Sequence, residues 1–200
     1  MATYDWPAGI RFTSAVITAR SAVGAVISPY SFSREAQNWG GERWEMSLEF
    51  LRTTRAQAAA VEAFLLRLRG GIHQVRLGDP WGSLPQGSRL GTPVVGASAT
   101  AGATSFASKG WGVSQSGVLL TNDYLEIDER LYRVLADVDA DANGDATIEV
   151  WPRLRESYAE DTSIRTQNPR TLWSLAEPSV TFSRDQIGLY ETSVALIEHL

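Results

Sequence analysis

The chain has no cysteine and only two histidines, His73 and His199, in 200 residues. Without cysteine there is no disulfide scaffold, no thiolate zinc site and no cysteine nucleophile. A Ser-His-Asp set or a histidine metal site needs convergent histidines, and two distant ones suggest neither. Positive charge is also in short supply. Eighteen Lys and Arg stand against 23 Asp and Glu, for a net charge of -5. A nucleic-acid binder needs basic surface to displace counterions from phosphate, so that class is disfavoured. A surface past which DNA must slide without sticking is not. No uncharged apolar run approaches the ~20 residues needed to span a bilayer. Met1-Ala2-Thr3-Tyr4-Asp5-Trp6-Pro7 lacks the basic patch and apolar core of a signal peptide, so folding in a cytoplasm is expected.

What the chain does have is enough apolar material for a core, 44% of its residues. The clearest organising stretch follows Gly40-Gly41, read as a turn. Trp44, Met46, Leu48 and Phe50 alternate with Glu45, Ser47 and Glu49, which predicts a strand with one face in the core. Thr54-Arg55-Ala56-Gln57 fits a capping box. Ala58, Val61, Phe64, Leu65 and Leu68 then recur at helical spacing. Arg67 and Arg69 suit the negative end of the helix, and Gly70-Gly71 stops it. Leu66 lies off the buried face, either as a subunit contact or as one of the single exposed leucines common on any surface.

Before this unit, short β-prone runs at Ile10–Phe12, Ala15–Thr18 and Val26–Ile27 lead to a turn at Ser28-Pro29-Tyr30. After it, Ile72–Leu77 reads as a strand, and Gly78-Asp79-Pro80-Trp81-Gly82 breaks the pattern. Residues 83–116 are rich in small residues, with β signals at Thr92–Val95 and Ala103–Phe106. A meander follows at Gly117–Leu120, Tyr124–Ile127, Arg130–Val134 and Ala146–Trp151, with Asp128-Glu129 as a tight hairpin connection. Short strands separated by small-residue turns suggest a small barrel or sandwich. Alternation returns at Thr171–Leu175, Ser179–Ser183 and Thr192–Ile197, with the composition of the first 77 residues. The chain is therefore expected to be mainly β. Residues 1–78 and 166–200 would form one discontinuous unit carrying the helix, and residues 79–165 an inserted small β module.

Chemistry-bearing patterns are few. Asp139-Ala140-Asp141-Ala142-Asn143-Gly144-Asp145 matches the first half of a calcium-binding EF-hand loop. Its twelfth position is Val150 instead of a bidentate Glu, and its flanks are β-like, so Asn143-Gly144 is read as a hairpin turn. Glu45 and Glu49 share a strand face and could be paired carboxylates of a glycosidase. Because they lie opposite the apolar side, a solvent or subunit face is simpler. His73 alternates in a strand and is read as structural. The glycine-rich segments lack the Lys-Ser/Thr of a phosphate loop. Among seven tryptophans, Trp81, Trp111 and Trp151 fall in or beside the insert. Exposed there, they could stack on sugars or on another protein; otherwise they pack a core.

Gly41-Glu42-Arg43-Trp44, Phe64-Leu65-Leu66-Arg67-Leu68-Arg69-Gly70 and Arg76-Leu77-Gly78-Asp79-Pro80 resemble, in this order, distal tail proteins of long-tailed phages and prophages. So do Asn122-Asp123-Tyr124-Leu125-Glu126-Ile127, Leu131-Tyr132-Arg133-Val134 and Trp151-Pro152-Arg153-Leu154-Arg155, and the likeness covers most of the chain. Two positions depart from it: Asn122 stands where glycine is expected, and Glu42 where a small residue is. Asparagine still tolerates a left-handed turn. The resemblance implies a β-sandwich with one packed helix and an inserted small β-barrel of oligonucleotide-fold type. It implies a homohexameric ring in the virion, at the tail tip, joining the tail tube protein to the baseplate hub. DNA would pass only transiently. No catalysis, cofactor, metal or membrane insertion is expected. The candidate subunit and partner contacts are Trp39, Arg43, Trp44, Glu45, Glu49 and Leu66. The alternatives are a carbohydrate-binding module using Trp81, Trp111 or Trp151, a glycosidase on Glu45 and Glu49, and a neighbouring hub or tube-terminating tail protein.

Overall fold

Alternation from Trp44 to Phe50 becomes, in three dimensions, the inner half of one very long strand. The computed structural model describes residues 1–7, 9–50, 55–184 and 190–200. The strands before the insert are β1 (Thr3–Asp5), β2 (Phe12–Ile27) and β3 (Arg34–Phe50), followed after helix α1 (Arg55–Arg67) by β4 (Gln74–Leu77). The middle of the chain supplies β5 (Gly91–Val95), β6 (Ser105–Trp111), β7 (Tyr124–Ile127), β8 (Arg130–Val134), β9 (Ala146–Trp151) and β10 (Ile164–Arg165). The last part adds β11 (Thr171–Leu175), β12 (Ser183–Arg184), β13 (Tyr190–Glu191) and β14 (Ser193–Glu198). The protein is mainly β with a single α-helix among the described residues, as its alternation patterns require.

Two six-stranded sheets result. The first runs β1-β4-β11-β14-β3-β2, so the chain leaves it at Leu77 and rejoins it at Thr171. The second runs β10-β7-β8-β9-β6-β5. Its ends meet: Val95 N–H donates to Thr162 O and Asp161 N–H to Val95 O, both at 2.9 Å, and the sheet becomes a nearly closed barrel. Phe106, Trp111, Leu125, Tyr132, Ile148 and their neighbours fill it.

The apolar face of the first sheet is covered from two directions. Val61, Phe64, Leu65 and Leu68 of the helix segment press on one part; Tyr124, Leu131 and Trp151 from the barrel side press on another. Trp44 sits where these meet. Its indole N–H donates to Leu131 O at 3.0 Å, and its ring lies 4.3 Å from that of Trp151. Beneath it, the Glu198 carboxylate accepts the Trp44 backbone N–H at 2.9 Å and a guanidinium N–H of Arg155 at 2.5 Å.

Local differences from expectation have local causes. Gly40-Gly41 is not a turn before a strand; β3 runs straight through it. Between the Ser21–Glu42 and Val23–Asn38 pairs, β3 holds extra residues, a bulge that Gly40 accommodates at φ 75°. The weak runs at Ala15–Thr18 and Val26–Ile27 belong to one continuous strand, because pairing with β3 overrides the small residues between them, whereas of Ile10–Phe12 only Phe12 joins it. Gly117–Leu120 forms only an isolated bridge, Leu119 to Val138. Ser179–Ser183 contributes only Ser183 to a strand. The capping residue Thr54 lies outside the described residues. Asn122 adopts φ 75°, the left-handed conformation for which glycine was expected. Asp128 and Glu129, at φ 49° and 61°, make the tight β7–β8 connection.

Candidate functional site

The outer half of the β2–β3 hairpin leaves the core altogether. Pairing continues to Ile27–Arg34, yet every residue of 18–27 and 34–41 is exposed. At ~3.3 Å per residue this arm reaches about 30 Å beyond the sheet. Its surface is not that of an ordinary solvated loop. Tyr30 is 95% exposed, Phe32 81%, Val26 74% and Trp39 72%, with Val23 and Ile27 nearby. At the tip, Ser28 N–H donates to Ser33 O and Phe32 N–H to Ser28 O, both at 2.9 Å, so the turn is held by its own backbone. Gly24 leaves room for the Trp39 indole, whose nitrogen comes within 3.2 Å of where a Cβ would sit. β2 is also the last strand of its sheet, so one whole row of its backbone groups has no strand beside it among the described residues.

At the root of the arm, Glu45 accepts from Arg43 Nη2 at 2.7 Å and from Arg20 Nη1 at 3.2 Å. The hydrogen bond from Arg43 is the main reason the Glu45 carboxyl is held below its ordinary value, against the opposing effect of desolvation. A carboxyl so held is a poor general acid at neutral pH. Glu49 is exposed and faces Ser193 across the ladder.

The sequence-derived contacts therefore divide. Trp39, Glu49 and Leu66 are exposed, and Arg43 and Glu45 are partly so. Trp44 is a correction: it is 1% exposed, sealed under Trp151 and Leu131, and cannot meet a partner. The alternation already placed it on the core side. Leu66 continues a stripe with Ala56, Ala59 and Ala63 along the outer face of α1. Of the tryptophans of the insert, only Trp81 is open, at 62%. Trp111 is a second correction, at 4% exposure with its indole N–H donating to Ser108 Oγ at 2.9 Å inside the barrel. Trp151 is partly covered by Trp44.

Sequence reasoning missed Tyr30, Phe32, Val23, Val26 and Ile27 as surface residues. Their one signal was apolar side chains close to the Ser28-Pro29-Tyr30 turn without a second apolar stretch to bury them.

The remaining motifs are structural. Asp141 Oδ1 accepts the N–H groups of Asn143 at 2.7 Å and Asp145 at 2.9 Å, which makes the 139–145 loop a side-chain-closed turn. No group of three or more His, Asp or Glu among the described residues could hold a metal. His73 Nδ1 accepts Ala2 N–H at 3.3 Å. No helix of the described residues is long and apolar enough to cross a membrane. No protein-family model matches the chain, and no curated protein matches it.

Proposed function

We propose that the chain is a non-enzymatic structural subunit of a phage tail tip, a ring that joins the tail tube to the baseplate hub and lets DNA pass. The observation that carries this reading is the hairpin arm. A two-stranded ribbon with no sheet behind it is marginal in water. One that also displays Tyr30, Phe32, Val26 and Trp39 needs a protein surface to cover it. A neighbouring copy supplies that surface at every position of a closed ring, through one repeated head-to-tail contact. The open edge of β2 can pair with a strand of the neighbour, which removes an edge that otherwise invites aggregation. The net charge of -5 keeps DNA from adhering to such a ring.

The test is the solution mass by light scattering, with negative-stain images of the same sample. The full chain is expected near six times 21.9 kDa, with a central hole. A variant in which residues 25–36 are replaced by Asn-Gly is expected to fold and remain monomeric. A monodisperse full-length monomer at micromolar concentration, or a ring indifferent to the shortened arm, would overturn the proposal.

A further inference from the structure

Away from the arm, a cavity of about 240 Å³ opens between the loop segment at residues 79–86 and the start of β7. Its walls hold Trp81, Asp79, Gln86, Asn122, Tyr124 and Arg133. The walls are built. The Asp123 carboxylate accepts three backbone N–H groups, from Gln86 at 2.7 Å, Leu120 at 2.8 Å and Gly87 at 3.1 Å, and so ties the 86–87 segment to the 120–123 loop. Asp79 Oδ1 accepts Trp81 N–H at 2.9 Å and fixes the turn that presents the indole. Gly82 lies so close to the Tyr124 ring that a Cβ would come within 2.7 Å of it, which seats this turn directly on β7.

Two side chains in this preformed cavity lack hydrogen-bond partners among the described residues. The Trp81 indole stands 62% exposed. The Arg133 guanidinium lies over the Tyr124 ring, 4.8 Å from its centroid. Its Nε is sealed from water with no acceptor among the described residues. The terminal guanidinium N–H groups, not the sealed Nε, are the ones that can donate to an oxygen in the cavity. An anion fits poorly, because the Asp79 carboxylate shares the wall and would repel it.

We infer that the cavity bounded by Trp81 and Arg133 is a binding site for a neutral sugar ring. The electron-rich face of the indole receives the C–H side of a pyranose. Arg133 donates to ring hydroxyls, Asp79 accepts from them, and the Gln86 and Asn122 amides can do either. The size agrees: it is below the ~300–1,000 Å³ of pockets for drug-sized ligands, and so suits one ring, such as the end of a surface glycan. The site does not depend on the ring assembly.

The experiment is saturation-transfer NMR on the full chain with glucose, galactose, mannose and N-acetylglucosamine, alongside an array of neutral and uronic-acid glycans. At least one neutral hexose or hexose-terminated glycan is expected to bind at millimolar or tighter affinity. Trp81→Ala should weaken that binding on the order of tenfold, the size of one lost stacking contact. Arg133→Gln should weaken it too, and Trp39→Ala on the arm should leave it unchanged. Because Trp81 is exposed, circular dichroism of Trp81→Ala should match the parent. Absence of binding to every neutral probe, binding confined to acidic glycans, or binding that survives Trp81→Ala would each overturn the assignment.

Discussion

Replacing Glu198 by Ala tests the joint between the two sheets. Its side chain is fully buried, and that of Arg155 is 12% exposed. The carboxylate accepts from Arg155 Nη2 at 2.5 Å, from Arg155 Nε at 3.3 Å and from the Trp44 backbone N–H at 2.9 Å. Arg155 also donates through Nη1 to Glu42 O at 2.6 Å, so it stays in place when its carboxylate is gone. The variant thus buries an uncompensated charge and orphans a backbone donor at once. Breaking one side of such a pair costs about 3–5 kcal/mol. For a chain of this size that corresponds to a fall in Tm of about 6–20 °C. Urea unfolding and thermal melts followed by circular dichroism read it directly. The double variant Arg155→Met with Glu198→Leu should recover part of the loss, since no charge is left buried. A Glu198→Ala protein within about 1 kcal/mol of the parent, or a double variant no better than the single, would refute the reasoning.

The two tryptophans of the insert that differ most in burial should differ in stability effect. Trp111→Ala removes a ring from the barrel interior and is expected to cost about 3–5 kcal/mol, whereas Trp81→Ala should stay within about 0.5 kcal/mol in the same denaturation assay. Glu126 offers a pH test. Burial is the largest influence on it and raises its pKa, against the hydrogen bond from Arg170 N–H and the charge of Arg165. A raised carboxyl stabilises the fold below its unfolded pKa and loses that contribution as pH rises through the folded value. Glu126→Gln, which keeps the acceptor for Arg170, should flatten this decline when unfolding free energy is measured from the carboxylate range up to neutrality.

Much of the architecture was legible because period reports face. Trp44, Met46, Leu48 and Phe50 alternate in the chain and are buried together; Ala58, Val61, Phe64, Leu65 and Leu68 follow helical spacing and cover the same core. Asp128-Glu129 marked its hairpin correctly. Where the reading failed, the competing influence was pairing. Gly40-Gly41 looks like a turn in isolation, but a long partner strand turns it into a bulge. Gly117–Leu120 has strand composition, yet it forms only an isolated bridge. The candidate surfaces were half visible. Trp39 and Leu66 could be placed outside by position, whereas Trp111 could not be told from Trp81, since both are tryptophans in glycine-rich surroundings.

Composition and periodicity by themselves determined the class of this protein: no thiol chemistry, no histidine constellation, an acidic mainly β chain with one helix and a run of small strands in its middle. Only the tertiary structure decided which strands outrun their core. Residues 18–27 and 34–41 mix β-prone with small residues, and their pattern does not say where the sheet behind them ends. Likewise, only the fold lays Arg133 on Tyr124, and Trp44 under Trp151. Local pattern specifies the direction a side chain takes from its own backbone. What it meets there is set by segments distant in sequence, and burial, pairing and exposure follow from that meeting.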